Sequence, residues 1–135
     1  MKLTMPGAFQ AQILQAARAA TPAECCGLIL GRREGEDAVA LGLHAARNLA
    51  AAVDRFEVAP ADQFAAQRAA RAAGLAVIGC YHSHPDGAAQ PSTEDRNGAG
   101  EENFFWLIAT PAGAMAAFVY LRGVMVGADL VTSSS

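Results

Sequence analysis

A short apolar run that ends in two closely spaced histidines limits most strongly how this chain can fold. Residues 75–81 have the sequence LAVIGCY, which favours a buried strand, and His82, Ser83, His84 and Pro85 follow at once. Side chains two residues apart on a strand face the same side, so the spacing predicts that both imidazoles are presented together. Pro85 is expected to end the strand.

Helical and strand patterns surround this run. Helices are predicted over residues 7–20, ended by Thr21-Pro22, and over residues 60–74. Further strands are predicted over residues 25–30, 38–44, 55–58, 104–109, 115–121 and 124–130. This order favours an α/β (α+β) fold in which a mixed β-sheet is flanked by helices. One domain is expected over residues 1–131, followed by a frayed tail over residues 132–135.

The charge balance and the apolar content exclude several classes of protein. Of the 135 residues, 53% are hydrophobic and the formal net charge is -3, so the chain can bury a core and offers no basic stripe to nucleic acid. No apolar run approaches the roughly 18–20 residues of a membrane span, and the first residues lack the apolar core of a secretory signal. Cys25, Cys26 and Cys80 have no framework spacing, which favours reduced thiols. We therefore expect a cytoplasmic protein that binds neither nucleic acid nor membranes; a homodimer is possible.

The histidines and a downstream carboxylate have the composition of a catalytic zinc site. His82 and His84 are followed by a polar loop and then by the segment PSTED, which ends at Asp95. Two histidines and one carboxylate form the open three-ligand pattern in which water takes the fourth position, whereas a structural zinc site uses four protein ligands. The sequence therefore predicts one Zn²⁺ per chain, held by His82, His84 and Asp95.

Two further polar residues are candidates for catalytic roles. Glu24 precedes the predicted strand over residues 25–30, where a carboxylate can face a cleft and act as general acid/base through a water molecule. Ser92 lies three residues before Asp95, so one helical turn would bring its hydroxyl near the metal as an oxyanion donor. Ser92 is equally typical of a helix N-cap, and Glu24 of an exposed surface acid. Both alternatives stay open at this point.

The pattern E…H-S-H-P-x5-P-S-x2-D resembles that of the JAMM (MPN+, JAB-type) zinc metalloproteases. The resemblance spans almost the whole chain, and the segments PAECCGLILG and RFEVAPADQFAAQRAARAAGLAVIGCYHSHP are similar to those of the small stand-alone prokaryotic members. It implies a JAB/MPN domain with a cytidine-deaminase-like fold. It also implies zinc ligation by His82, His84 and Asp95, with Glu24 as general acid/base and Ser92 as oxyanion stabiliser.

The same resemblance implies an activity. Prokaryotic relatives act on the C-terminal tails of ubiquitin-like sulfur-carrier proteins, so we expect a zinc-dependent peptidase or isopeptidase that hydrolyses a bond at such a tail. The eukaryotic deubiquitinating members carry insertions that this chain is too short to hold, which argues against ubiquitin itself. The alternative is a non-catalytic MPN-type module that binds ubiquitin-like proteins. A nucleoside deaminase would need H-x-E with P-C-x-x-C, and neither motif is present.

Overall fold

Short strands and three helices make up the part of the chain that the structure describes. This computed structural model describes residues 1–134. In chain order the elements are β1 (Lys2–Pro6), α1 (Gly7–Ala20), β2 (Cys26–Glu34), β3 (Asp37–Ala46), α2 (Pro60–Ala72), β4 (Ala76–Ser83), α3 (Thr93–Gly98), β5 (Phe105–Ala109), β6 (Met115–Leu121) and β7 (Val124–Ser133). No helix among these residues is long and apolar enough to cross a membrane.

The strands form one mixed sheet in the order β1-β3-β2-β4-β5-β6-β7, and β1 also pairs with β7, so the sheet closes into a barrel. The pairs β1–β3, β1–β7 and β4–β5 are parallel, and the other pairs are antiparallel. The predicted mixed sheet is confirmed. Sequence patterns do not predict its closure, because the pairing of β1 with β7 joins residues far apart in the chain.

The two longer helices pack against opposite faces of the strands. Along β2, Ile29 joins a buried cluster that contains Ile13 of α1. Its neighbours Leu28 and Leu30 join a second cluster that contains Ala66 of α2. This alternation is the two-residue period of a strand that is covered on both faces. The prediction that helices flank the sheet is therefore confirmed.

The connection from β4 to β5 positions the candidate site. These strands are parallel neighbours, so the chain must return from the end of β4 to the start of β5 through a crossover. This crossover contains the short helix α3. Residues at the end of β4 and at the start of α3 therefore lie at the same edge of the sheet, where ligand sites in α/β folds commonly form.

The structure differs from the sequence-based expectations in three places: one strand is missed and two predictions are wrong. β1 escapes prediction because its five residues run directly into α1 without a turn. The predicted strand over residues 55–58 is an irregular segment in which only Val58 forms an isolated bridge, to Asn48. The tail predicted to fray from residue 132 is in a strand up to Ser133, because residues 129–133 of β7 pair with all five residues of β1. Ser135 lies outside the described residues.

Candidate metal centre

Both histidines lie at the end of β4, between β2 and β5. His82 is paired with Cys26 on one side and Ile108 on the other. The backbone N–H of His84 donates to the carbonyl of Ala109 at 2.8 Å, which extends the strand pairing past Ser83. The two Nε2 atoms lie 3.2 Å apart. The strand end thus presents two imidazoles side by side.

Asp95 reaches the same point from the first turn of α3. Its Oδ2 lies 3.0 Å from Nε2 of His82 and 3.1 Å from Nε2 of His84. Ser92 is the N-cap of α3: its Oγ accepts from the backbone N–H of Asp95 at 3.0 Å, and its own N–H donates to Oδ2 of Asp95 at 2.9 Å. This reciprocal capping box fixes the carboxylate in place.

The spacing of these three side chains fits a tetrahedral metal. Their nearest nitrogen and oxygen atoms are separated by 3.0, 3.1 and 3.2 Å. Bonds of about 2.0 Å at tetrahedral angles place neighbouring ligand atoms about 3.3 Å apart. Two imidazoles and one carboxylate are also a donor set that suits zinc. His82, His84 and Asp95 could therefore hold a zinc ion.

The hydrogen bond on the far side of His84 sets its tautomer. Nδ1 of His84 lies 2.9 Å from the carbonyl oxygen of Ala88. A carbonyl can only accept, so Nδ1 carries the proton, and in a neutral imidazole the Nε2 lone pair then faces the carboxylate of Asp95. These facing lone pairs repel each other, so the arrangement needs a positive charge between them: either a proton on Nε2 of His84, which then donates a hydrogen bond to Asp95, or a metal cation. The loop over residues 86–90 thus contributes to the site through one backbone carbonyl.

Glu24 reaches the same cluster from the segment just before β2. Its side chain is buried. Glu24, His82 and His84 each offer one potential ligand atom, and these three atoms lie within 4.8 Å of one another. Two contacts hold its backbone: the side-chain amide of Asn48 donates to the carbonyl of Glu24 at 3.0 Å, and the next N–H, of Cys25, donates to Oγ of Ser83 at 2.9 Å. Its Oε1 has no hydrogen-bond partner among the described residues. The alternative of an exposed surface acid does not hold.

The pKa values of the carboxyl groups of Glu24 and Asp95 are shifted in opposite directions. Burial raises the pKa of Glu24 to about 7, and the negative charge of Asp95 adds to this, whereas His84 opposes it. Burial alone would also raise the pKa of Asp95, but hydrogen bonds from His82 and His84 hold it well below its usual range. Asp95 therefore stays charged at neutral pH, and Glu24 can gain or lose a proton there.

The pKa values of the two histidines are also shifted in opposite directions. Burial lowers the pKa of His82, whereas the hydrogen bond to Asp95 raises the pKa of His84. A metal ligand must offer a free lone pair, so neutral imidazoles are the form that binds.

A cleft gives access to this cluster. Its volume is about 230 Å³, and Glu24, His84 and Ser92 all line it. The remaining lining residues are Pro22, Val53, Asp54, Pro85, Asp86 and Glu94. All five residues singled out in the sequence are thus brought together, three as a tight set and two along the wall of the cleft.

The cysteines do not join the site. The potential metal ligands that converge within residues 1–134 are Glu24, His82 and His84, together with the adjacent Asp95, and none is a cysteine. The three thiols are unpaired. Burial raises the pKa of Cys26 to about 12 and that of Cys80 well above its usual value. Neutral buried thiols are weak metal ligands, as expected for small core residues.

The sequence patterns miss three residues that contact the site. The ring of Phe56 stacks on His82, with centroids 4.3 Å apart and planes at 21°. Trp106 meets His82 edge to face, with centroids 5.8 Å apart. Asn48 binds the backbone of Glu24. The available signal was weak: Phe56 and Asn48 are single residues in an irregular stretch, and Trp106 has the pattern of an ordinary core residue in a strand.

Comparisons with known proteins agree with one another. Residues 6–121 match the family described as prokaryotic homologs of the JAB domain. The desampylase of Haloferax volcanii is 34% identical over 97 residues, which cover 71% of this chain and 68% of that protein. A protein from Desulfitobacterium hafniense has a similar solution structure, with a TM-score of 0.89, 28% identity and coverage of 98% of this chain and 94% of that one. A JAB1/MPN domain protein from Archaeoglobus fulgidus has a TM-score of 0.55, 25% identity and coverage of 97% and 99%.

Proposed function

Because this chain belongs to the family of prokaryotic JAB-domain homologs, we propose that it is a JAMM-type zinc metalloprotease that hydrolyses a peptide or isopeptide bond. The observation that carries the proposal is the meeting of His82, His84 and Asp95 with the buried carboxyl group of Glu24 beside one cleft. A metal-free binding module would gain nothing from an unpartnered buried carboxyl group, which costs stability.

We propose one Zn²⁺ per chain, held by Nε2 of His82, Nε2 of His84 and a carboxylate oxygen of Asp95. When bound, such an ion acts as a Lewis acid towards the substrate carbonyl and makes water a nucleophile near neutral pH. The chain orients the proposed ligands: the Ser92 cap fixes Asp95, and the Ala88 carbonyl fixes the tautomer of His84.

Glu24 is proposed as the general acid/base. It accepts a proton from the attacking water and donates it to the leaving nitrogen, so that the amine departs neutral. A group whose pKa is raised to about 7 can do both at neutral pH. Its Oε1, which has no hydrogen-bond partner among residues 1–134, is the atom available for this exchange.

Ser92 is proposed as the oxyanion stabiliser. A hydroxyl group can accept and donate at the same time. Oγ of Ser92 accepts a hydrogen bond from the backbone N–H of Asp95. The hydroxyl hydrogen of Ser92 therefore remains able to donate to a carbonyl oxygen that gains negative charge. Capping the helix and stabilising the oxyanion are therefore compatible.

The proposed substrate is the C-terminal tail of a ubiquitin-like protein of the sulfur-carrier type. Similarity to a protein named desampylase supports a hydrolase that acts on a ubiquitin-like modifier. A thin, extended tail suits a cleft of about 230 Å³. Either trimming of an extended tail or cleavage of a conjugate meets this description. The unpaired thiols favour a cytoplasmic location.

The test combines metal content and hydrolysis. The purified protein is stripped with a chelator, reloaded with equimolar zinc, and incubated with sulfur-carrier proteins that carry extended or conjugated C-termini. We expect about one zinc per chain and cleavage after the native tail in the reloaded form alone. Zinc binding without cleavage of any such substrate would overturn the substrate class. Absence of zinc binding would favour the alternative of a binding module for ubiquitin-like tails.

A further inference from the structure

His82 lacks the contact that normally orients a metal-binding histidine. Such a ligand usually donates its second ring N–H to a carboxylate, a carbonyl or a water molecule. His84 does so through Ala88, but Nδ1 of His82 is buried and has no hydrogen-bond partner within residues 1–134. The side chain of His82 is fully buried, so its ring must be held by something other than a hydrogen bond on that side.

Aromatic side chains surround the imidazole instead. The ring of Phe56 lies almost parallel to that of His82, 4.3 Å away between centroids. Trp106 stands nearly perpendicular to His82, at 88°, and also meets Phe56 edge to face at 6.0 Å. A rotation of the imidazole about its bond to the main chain would break the stack and strike the indole. The two aromatic rings therefore restrict the direction in which Nε2 points.

We propose that Phe56 is a positioning residue for the metal ligand His82, and that its stacked ring does the work of the missing hydrogen bond. The inference builds on the proposed zinc site, since it concerns how one of its ligands is aimed. Trp106 lies on the regular strand β5, whereas Phe56 lies in an irregular segment and needs its own support.

Asn48 supplies that support. Its Oδ1 accepts from the backbone N–H of Glu57 at 2.9 Å, and its Nδ2 donates to the carbonyl of Arg55 at 3.2 Å. One amide side chain thus binds the backbone on both sides of Phe56. The same Nδ2 donates to the carbonyl of Glu24. Asn48 therefore fixes the stacked ring and the catalytic carboxyl group relative to each other.

The consequence is measurable as metal affinity. Loss of an outer partner of a metal-binding histidine typically weakens metal binding by about 10–100-fold. We expect a loss of about 10-fold in zinc affinity for Phe56→Leu, which keeps an apolar side chain but removes the flat ring. Phe56→Tyr keeps the ring and is expected to bind zinc as the wild type does.

Phe104→Leu is the matched control. Phe104 packs in the same apolar cluster as Phe56 and lines the same cavity beside Asp95. Its ring makes none of the aromatic contacts with His82 found in the described part of the chain. Both leucine variants are expected to lower the melting temperature of the metal-free protein by similar amounts, and only Phe56→Leu should weaken zinc binding.

The experiment measures zinc affinity of the four proteins by competition with a chromophoric chelator. The ring resonances of His82 are followed by NMR in the metal-free state, where loss of the stack should shift them in Phe56→Leu alone. Wild-type zinc affinity in Phe56→Leu, or an equal loss in Phe104→Leu, would overturn this inference and leave the proposed function intact. No zinc binding by the wild type would overturn both. Asn48→Ser, which leaves the ring itself unchanged, is a second test if Phe56→Leu does not fold, and it too should weaken zinc binding.

Discussion

The two histidines of the candidate metal centre are two residues apart, yet opposite surroundings hold them. His84 borders the cleft, is 9% exposed, and is fixed by a hydrogen bond to a loop carbonyl. His82 is 0% exposed and is enclosed by Phe56 and Trp106, and its Nδ1 has no hydrogen-bond partner in the described part of the chain. We call these the cleft side and the aromatic side. Hydrogen bonds can aim a ligand where water is near, whereas packing can aim one where water is excluded.

Removing either imidazole should give the largest loss of zinc binding and activity. The cost in stability should differ between the cleft side and the aromatic side. Both His82→Ala and His84→Ala are expected to abolish zinc binding and hydrolysis, because each removes one of the proposed ligands. His82→Ala also opens a cavity between aromatic rings, which should lower the free energy of unfolding of the metal-free protein by about 2–4 kcal/mol. His84→Ala, at the edge of the cleft, should cost less than about 1.5 kcal/mol. Metal analysis and chemical denaturation measure both effects, and equal losses of stability would contradict the comparison.

Glu24→Gln tests the chemistry of the cleft side. The amide keeps the shape of the side chain but cannot carry a proton between water and the leaving nitrogen. We expect kcat to fall by about 100–10,000-fold while zinc affinity stays at the wild-type value. Glu94→Gln, which changes an exposed acid that lines the same cleft, is the control and should retain activity. If the Glu24 variant lost its zinc, Glu24 would be a ligand and the roles would have to be reassigned.

Ser92→Ala should give a smaller loss with two separable parts. Removal of an oxyanion donor is expected to lower kcat by about 10–1,000-fold. Removal of the N-cap should lower the free energy of unfolding by about 1 kcal/mol. Ser92→Thr keeps both functions of the hydroxyl group and serves as the control. A change in KM alone would show that Ser92 binds substrate rather than stabilising the transition state.

The smallest expected effect is a pH dependence that belongs to the cleft side. Because burial raises the pKa of Glu24 from 4.5 to about 7, the folded metal-free protein binds a proton in this range that the unfolded chain releases. The resulting stability is fully present below pH 4.5 and is lost as the pH rises through 7. We expect Glu24→Gln to remove this decrease in the free energy of unfolding between pH 4.5 and pH 7. Denaturation of both metal-free proteins at several pH values measures it, and identical pH profiles would contradict the assignment.

The local parts of this site could be predicted from the sequence. The period of a strand places His82 and His84 on one side, and a serine three residues before an aspartate predicts the cap that fixes Asp95. The ends of α1 follow from apolar spacing and from Thr21-Pro22. Each of these features depends on neighbours within a few residues.

The parts that escaped prediction depend on distant contacts. β1 pairs with β7, and no local pattern in the five residues of β1 predicts this pairing. The segment around Phe56 has the composition of a strand, but its backbone groups bond to the Asn48 side chain and, through one isolated bridge, to residues 47–49, which are not part of a strand. The aromatic side of the metal centre therefore becomes visible only once β4, β5 and this segment are assembled.

The capping box of α3 ties the ligand set to local folding. A helix of six residues is too short to persist on its own, so its first turn depends on the bonds between Ser92 and Asp95. The same Asp95 oxygen that closes the cap faces both imidazoles. Substitutions at these two positions should therefore be non-additive, because the same pair of residues starts the helix and holds the carboxylate in place. Ser92 and Asp95 thus act as one unit, in which the bonds that start the helix also hold the carboxylate against the two imidazoles.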